Sequence, residues 1–219
     1  MFTGCIWRSR RVIGLALVLA AVASVGTIAI AEDGKLEFSA GLDFLRDIPL
    51  RRNGEIIAVV EAPAGSRDLW RLEPKTGKIV WKNSRGVPAR ISFAIGYPAN
   101  FGFFPATVAP KPYGDGKDPL RVLIVGDPLP TGSIVPVRPI GLMRLKAANL
   151  ISAFVIAAPA SMIPFEGTMD QLTPGASAVI SRWLENYRGP GAVRVTIEND
   201  LATAHQAIHH SRVEFKRTP

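Results

Sequence analysis

Glycine and proline divide residues 43–160 into short segments. The sequence contains 20 glycines and 18 prolines among its 219 residues, and these residues separate runs that are rich in β-branched and other apolar side chains. The runs occupy residues 56–61, 78–81, 91–95, 121–125, 133–137 and 154–157. Short strands that alternate with turn residues are typical of a small β-barrel or β-sandwich.

The last third of the chain changes to a helical pattern. Residues 177–188 carry apolar side chains at helical spacing, and a Gly-Pro pair ends the segment. Residues 192–197 alternate as a strand does, and Asn199 or Asp200 is placed to cap a final helix that runs to about residue 215. We therefore predict an α+β, mainly β, fold in a single domain over residues 32–219, with helices packed outside a barrel.

The first 31 residues have the order of a secretory signal peptide. Arg8, Arg10 and Arg11 form a basic start, residues 12–30 are mostly apolar, and Ala31 closes a small-x-small cleavage site. The alternative is an uncleaved N-terminal anchor, because the apolar run is close to the minimum length that spans a bilayer. Both interpretations predict an exported, periplasmic or otherwise extracytoplasmic protein, which would contact a membrane only through this segment.

The composition of the remaining chain limits the kinds of partner that we expect it to bind. All 18 acidic residues lie after this segment, whereas the segment takes with it three of the 26 basic residues and the single cysteine, Cys5. The resulting mild basic excess suits an anionic ligand. We expect no nucleic-acid partner, because basic and aromatic residues do not interleave as they do in proteins that bind single strands.

An acidic loop carries the clearest functional signal. It reads Gly-Asp-Gly-Lys-Asp-Pro-Leu-Arg over residues 114–121, with Asp115 and Asp118 three positions apart. Carboxylates at such close spacing suit divalent metal ions, which take oxygen ligands. Four further segments accompany the loop, at residues 47–63, 97–107, 131–142 and 183–188.

In chain order, these five segments resemble the signature segments of the soluble inorganic pyrophosphatases. Residues 97–107 are similar to the family's Asn-Tyr-Gly-x-x-Pro-x-Thr, and residues 114–121 to its Gly-Asp-x-Asp-Pro-x-Asp. The resemblance implies the inorganic pyrophosphatase fold, a small five-stranded OB-like closed β-barrel with outer helices. It also implies Mg²⁺-dependent hydrolysis of diphosphate (pyrophosphate) to two phosphates, and a homo-oligomer, since relatives commonly form dimers or hexamers.

The resemblance also assigns roles to residues. Those implied as metal ligands are Glu61, Glu73, Asp115 and Asp118, and Asp118 is also the catalytic candidate. Those implied in binding pyrophosphate or another phosphate anion are Arg71, Lys82, Arg121, Tyr187 and Arg188. Arg71 and Glu73 match the family's Lys-x-Glu only if two residues are inserted upstream. Lys82, Arg85 or Arg90 would replace an arginine that the family carries near Val80.

Several positions depart from the family's pattern, and each departure removes a functional group. The active-site tyrosine is Phe101, and the third loop acid is Arg121, which cannot ligate Mg²⁺. An ungapped match puts Ala147, Ser152 and Phe154 where the family carries two aspartates and a lysine. We therefore expect impaired hydrolysis. The alternative is an inactive protein on the same fold that binds phosphate-rich anions or acts as a structural module of the cell envelope.

Arg121 itself has two alternative roles. In the first, its guanidinium replaces a metal ion and pairs with Asp115, with Asp118 or with a bound phosphate group. In the second, it only neutralises the acids that remain.

Overall fold

A computed structural model describes residues 27–30, 36–39, 41–84, 87–91, 93–147, 150–162, 175–198 and 200–217. This part of the chain contains thirteen strands and two helices. The strands are β1 Thr27–Ile30, β2 Leu36–Ser39, β3 Arg51–Arg52, β4 Glu55–Ala62, β5 Trp70–Glu73, β6 Lys78–Trp81, β7 Asn83–Ser84, β8 Val87–Pro88, β9 Asn100–Phe103, β10 Arg121–Ile124, β11 Ile134–Ala147, β12 Leu150–Pro159 and β13 Arg194–Glu198. The helices are α1 Ala176–Asn186 and α2 Leu201–Arg217. The mainly β fold with helices is confirmed.

Five strands are linked in a ring of hydrogen-bonded pairs. β4 pairs with β9, β9 with β10, and β11 with both β12 and β4, all antiparallel. β10 and β12 complete the ring in parallel, with Arg121 opposite Phe154. β13 extends this sheet from β11, and β3 extends it from β4. The acidic loop enters the sheet at Arg121, directly beside the β11–β12 hairpin.

Side-chain alternation along the strands divides the apolar core into three clusters. In β4, Ile56 and Ala58 pack in a cluster with α2, whereas Ile57 and Val59 pack with the small four-stranded sheet β1–β2–β6–β5. The third cluster joins the other face of β11 and β12 to α1, which buries Trp183 there. The ring of strands is therefore covered on several sides, and the helices lie outside it.

Asp200 caps α2. Its carboxylate accepts hydrogen bonds from the backbone N–H groups of Ala202 at 2.9 Å and Thr203 at 3.2 Å. Of the two cap residues that the sequence suggests, Asp200 fills the role, and Asn199 lies outside the described residues.

Most strand predictions are confirmed, and one is wrong. Predicted segments fall in β4, β6, β10, β11, β12 and β13, although β11 and β12 are longer than expected, at 14 and 10 residues.

The described residues of segment 91–95 form no strand. The N–H groups of Ile91 and Tyr97 instead donate to the carbonyl oxygens of Arg67 and Ser66. A side chain at Gly96 would meet the carbonyl oxygen of Gly65 at 2.0 Å, so this segment packs closely on a loop rather than in a ladder.

The predicted signal peptide is described only near its end, since residues 1–26 and 31 lie outside the described residues. Thr27–Ile30 forms β1, which pairs with β2 at the edge of the small sheet. Cleavage after Ala31 would remove β1 and make β2 the edge strand. Within the described ranges, no helix is both long enough and apolar enough to cross a bilayer.

Candidate active site

A pocket of about 210 Å³ lies where the acidic loop meets the β11–β12 hairpin. The predicted site residues that line it are Arg71, Asp115, Asp118, Arg121, Tyr187 and Arg188. Glu61 lies behind them, only 1% exposed, in ion-pair contact with Arg121 and Arg71. The fold therefore brings together residues that are far apart in the sequence.

The acidic loop is held by its own hydrogen bonds. The carboxylate of Asp115 accepts a hydrogen bond from the backbone N–H of Lys117 at 3.0 Å. The backbone nitrogen of Asp118 lies 3.5 Å from the same carboxylate. Gly116, with φ of 78°, donates its N–H to the carbonyl oxygen of Ala109 at 2.9 Å. Asp115 is thus a turn-forming residue as well as a pocket residue.

Glu61 and Arg121 form a buried ion pair at the centre of the site. Nη1 of Arg121 lies 2.7 Å from both carboxylate oxygens of Glu61, and the backbone N–H of Leu72 donates to Oε1 at 2.6 Å. Burial alone would raise the pKa of Glu61, but the two nearby arginines and the Leu72 N–H outweigh it and hold that pKa below its ordinary value. The pKa of Arg121 is raised, because Glu61 and Asp118 outweigh the opposing effect of burial. Both partners are therefore charged.

Two further contacts surround this pair. Nη2 of Arg121 lies 3.4 Å from Oδ2 of Asp118, and Nη1 of Arg71 lies 3.5 Å from Oε2 of Glu61. Within the described ranges, no ion pair joins Arg121 to Asp115. Both alternatives for Arg121 include these contacts, because it pairs with Asp118 and also neutralises the buried charge of Glu61. The Arg121 side chain is 15% exposed and lines the pocket.

The outer rim of the pocket is aromatic and cationic. Tyr187 stacks on Trp183, with ring centroids 4.8 Å apart and planes 8° from parallel. The guanidinium carbon of Arg188 lies 5.2 Å from the centroid of the Tyr187 ring. Arg188 is exposed, and it makes no ion pair within the part of the chain that the structure describes. It is therefore the pocket cation most available to an anion from solvent.

Comparison with known proteins places this site in a family. Residues 58–216 match the family model described as inorganic pyrophosphatase. The chain belongs to the inorganic pyrophosphatase family. Inorganic pyrophosphatase of Aquifex pyrophilus is 31% identical over 150 residues, which are 65% of this chain and 78% of the relative. Soluble inorganic pyrophosphatase 3 of Arabidopsis thaliana is 30% identical over 158 residues, 70% of this chain and 68% of its own length.

Solved pyrophosphatase structures have the same fold. Type I inorganic pyrophosphatase from Toxoplasma gondii superposes with a TM-score of 0.73 at 20% identity, over 89% of this chain and 99% of the other. Inorganic pyrophosphatase from Thermus thermophilus superposes with a TM-score of 0.64 at 25% identity, over 78% of this chain and 98% of the other. The pyrophosphatase fold expected from the sequence is confirmed.

The family is one that uses Mg²⁺, and the pocket residues of this chain do not fit a Mg²⁺ cluster. Among the residues that the structure describes, no three His, Cys, Asp or Glu side chains form a metal-binding group. Both oxygens of Glu61 are already bound by Arg121. Ala147, Ser152 and Phe154 line the pocket where the resemblance implies two aspartates and a lysine. Mg²⁺ needs near-octahedral oxygen coordination, and too few carboxylates converge to provide it.

Two predicted site residues are not brought into this pocket. The carboxylate of Glu73 accepts the hydroxyl of Thr76 at 2.9 Å, in the turn between β5 and β6. Lys82 follows β6, is exposed, and bonds through its backbone N–H to the carbonyl oxygen of Leu69. Of the pair Arg71 and Glu73, only Arg71 lines the pocket, because Glu73 lies two residues further along β5 towards its turn.

Sequence reasoning missed the apolar side of the pocket and its central contact. Leu145 and Ile151 line the pocket, and neither was a predicted site residue. Leu145 lies opposite Ser152 in the β11–β12 pair, and only this register would have indicated it. The direct contact between Glu61 and Arg121 joins residues 60 positions apart, and no local pattern indicates it.

The central ion pair gives a prediction on stability. Arg121→Met should lower the free energy of unfolding by about 3 kcal/mol, because it leaves the buried charge of Glu61 without its main partner. The double variant Glu61→Gln with Arg121→Met should lose less, since no buried charge is then left unpaired. Urea unfolding at pH 7 measures both changes.

An exposed arginine provides the control. Arg182→Met removes a cation whose side chain is 83% exposed and whose ion pair with Glu185 spans 3.2 Å, so its effect should stay within about 0.5 kcal/mol. Because the pKa of Glu61 is lowered on folding, its contribution is complete above its ordinary pKa and is lost as the pH falls. The double variant should therefore be less sensitive to acid than the wild type. Equal losses in Arg121→Met and Arg182→Met would contradict this account.

Proposed function

We propose that this protein is an inorganic pyrophosphatase-family member whose metal-dependent hydrolysis of diphosphate is impaired, and whose pocket contacts a phosphate group directly through arginines. The observation that carries the proposal is the contact of 2.7 Å between Arg121 and Glu61. In this contact, the carboxylate that the resemblance assigns to a metal ion binds the guanidinium of Arg121 instead.

The chemistry of the reaction supports impairment. Hydrolysis of diphosphate needs positive charge along the phosphate oxygens and a water molecule made acidic enough to attack at neutral pH. Guanidinium groups meet the first need, because they bind phosphate oxygens with paired hydrogen bonds. They do not meet the second, because an arginine does not coordinate water as a metal ion does. Arg71, Arg121 and Arg188 are therefore assigned to anion binding, with Tyr187 beside them on the rim.

The family's hydrolysis is the second candidate function, and two acids favour it. The side chain of Asp118 is 53% exposed, and Asp115 lines the same pocket. Together they offer carboxylate oxygens to one water-rich Mg²⁺. In this reading Asp118 keeps the catalytic role that the resemblance implies, and the rate is low because the other ligands are missing.

The ring of strands supports the family's architecture for this pocket. We infer that β4, β9, β10, β12 and β11 form the five-stranded closed barrel, because the last of them pairs again with the first. The pocket then lies at the mouth of the barrel, where the acidic loop and the hairpin meet. A homo-oligomer of such barrels stays an expectation from the resemblance.

Export is the third part of the proposal, and the order of residues 1–31 supports it. A cytoplasmic pyrophosphatase removes a by-product of biosynthesis, and outside the inner membrane that purpose is absent. An extracytoplasmic location is therefore consistent with slow hydrolysis of diphosphate.

The first test of the proposed function measures phosphate release from diphosphate. The full chain with Mg²⁺, Mn²⁺ or Zn²⁺ should turn over well below ordinary enzyme rates of about 1–10³ per second, because its pocket lacks the carboxylates that would hold the metal ions. The Thermus thermophilus pyrophosphatase, assayed in parallel, verifies the conditions. A turnover within the ordinary range that Asp118→Asn abolishes would refute the impairment and establish the second candidate.

A second test restores the third acid of the loop. Arg121→Asp exchanges the central cation for the residue type that the family's loop carries, so that carboxylates at positions 61, 115, 118 and 121 come together. Mg²⁺ should raise the melting temperature of this variant, because an ion that binds only the folded state stabilises it. Lys117→Asp makes the same change of charge on the same loop and should respond to Mg²⁺ as the wild type does. Equal responses of all three proteins would show that Arg121 does not stand in for a metal ion.

The location is tested by fractionation of producing cells and by N-terminal sequencing. We expect the protein in the extracytoplasmic fraction, with a sequence that starts at Glu32 if the segment is cleaved or at Met1 in the membrane fraction if it is an anchor. A chain that starts with a new methionine before Glu32 should stay in the cytoplasm. Full-length protein in the soluble cytoplasmic fraction would contradict export.

A further inference from the structure

The pocket is charged on one side and apolar on the other. The apolar side is contributed mainly by the β11–β12 hairpin, and its members are Leu145, Ala147, Ile151 and Phe154, with Phe101 from β9. Ile151 is 47% exposed. The charged side carries Arg71, Arg121 and Arg188 together with Asp115 and Asp118. A pocket with these two sides presents separate surfaces to a charged group and to an apolar group.

Strand register places Leu145, Ala147 and Phe154 together on the apolar side, and Ile151, opposite Lys146, lines the pocket from the alternate face of β12. Leu145 lies opposite Ser152 in the antiparallel pair of β11 and β12, and side chains two apart on a strand share a face. Leu145 and Ala147 therefore share one face of the hairpin with Ser152 and Phe154, and Phe154 packs edge-on against Phe101 at 5.4 Å. By resemblance this face is expected to bear acids and a lysine. Here Ser152 is its one polar side chain among those four positions.

The charges around the pocket are balanced. Three arginines face three carboxylates, which belong to Glu61, Asp115 and Asp118. Inorganic diphosphate concentrates several negative charges on a few atoms, and it is normally bound with the help of metal cations. A phosphate ester has a lower charge for its size, and its organic group can cover apolar surface that otherwise faces water. The balance of charge and the apolar side therefore favour the ester over diphosphate.

We infer that the pocket binds a small organic phosphate ester, with one phosphoryl group and one short apolar substituent. The phosphoryl group lies against Arg188 and the exposed edge of Arg121, and the substituent lies against Ile151 and Phe154. A volume of about 210 Å³ restricts the ligand to this size. The inference rests on the proposed function, because it uses the same pocket without metal ions.

Calorimetric titration of the full chain in the presence of a chelator tests the ligand class. The probes are phenyl phosphate, inorganic phosphate, inorganic diphosphate and phenol. Phenyl phosphate should bind about ten-fold more tightly than inorganic phosphate, since burying a small apolar group is worth roughly this factor. Diphosphate should bind no more tightly than phosphate, and phenol alone should give no measurable binding.

Matched variants locate the site. Ile151→Ser should weaken phenyl phosphate about three- to ten-fold more than it weakens inorganic phosphate. Leu201→Ser removes an apolar side chain of similar exposure, 44%, at the start of α2, which does not line the pocket, and it should change neither affinity. Arg188→Gln should weaken both phosphate probes, because it removes the cation without an ion-pair partner among the described residues.

The outcomes separate this inference from the function on which it rests. Equal affinities for phenyl phosphate and phosphate, or equal effects of Ile151→Ser and Leu201→Ser, would overturn the ester ligand while leaving direct anion binding in place. Absence of binding by both phosphate probes would overturn the ligand and the direct contact together, but not the impaired hydrolysis. Fast, Mg²⁺-dependent hydrolysis of diphosphate would overturn the proposed function, whatever the titrations show.

Discussion

A carboxylate buried as deeply as that of Glu61 stays charged only if cations and hydrogen-bond donors surround it. Arg121 meets most of this requirement, with assistance from Arg71 and the Leu72 backbone. The contact links β4 to the first residue of β10, and so it fixes where the acidic loop enters the sheet. A metal ion held by the same acids would impose a similar link. The arginine therefore keeps β4 and the acidic loop in one arrangement.

The local elements were largely readable from the sequence, because they depend on signals between neighbouring residues. Apolar runs between turn residues predicted β4 and β10, helical spacing predicted α1, and Asp200 was one of two residues suggested as the cap of α2. The segment 91–95 has strand-like composition, but its backbone bonds to a neighbouring loop. Composition does not report such long-range bonding, and that is why the prediction failed there.

For the candidate site, the sequence indicated which residues take part better than it indicated their contacts. The resemblance assigned roles to Asp115, Asp118 and Tyr187, and all three line one pocket. The partner of Arg121 and the apolar side of the pocket depend instead on strand order and register, which bring residues of distant segments face to face. Only the pairing of β11 with β12, with Leu145 opposite Ser152, reveals that the hairpin presents apolar surface to the pocket.

The acids of this pocket also hold parts of the fold in place, as the hydrogen bonds of Asp115 within its own loop illustrate. Asp115 shapes a turn, Asp118 lies beside Arg121, and Glu61 anchors two arginines. Each of these three acids therefore has a structural role in the fold. A residue that stabilises the fold is needed whether or not it also serves a reaction. The presence of these acids is therefore, by itself, a poor guide to turnover.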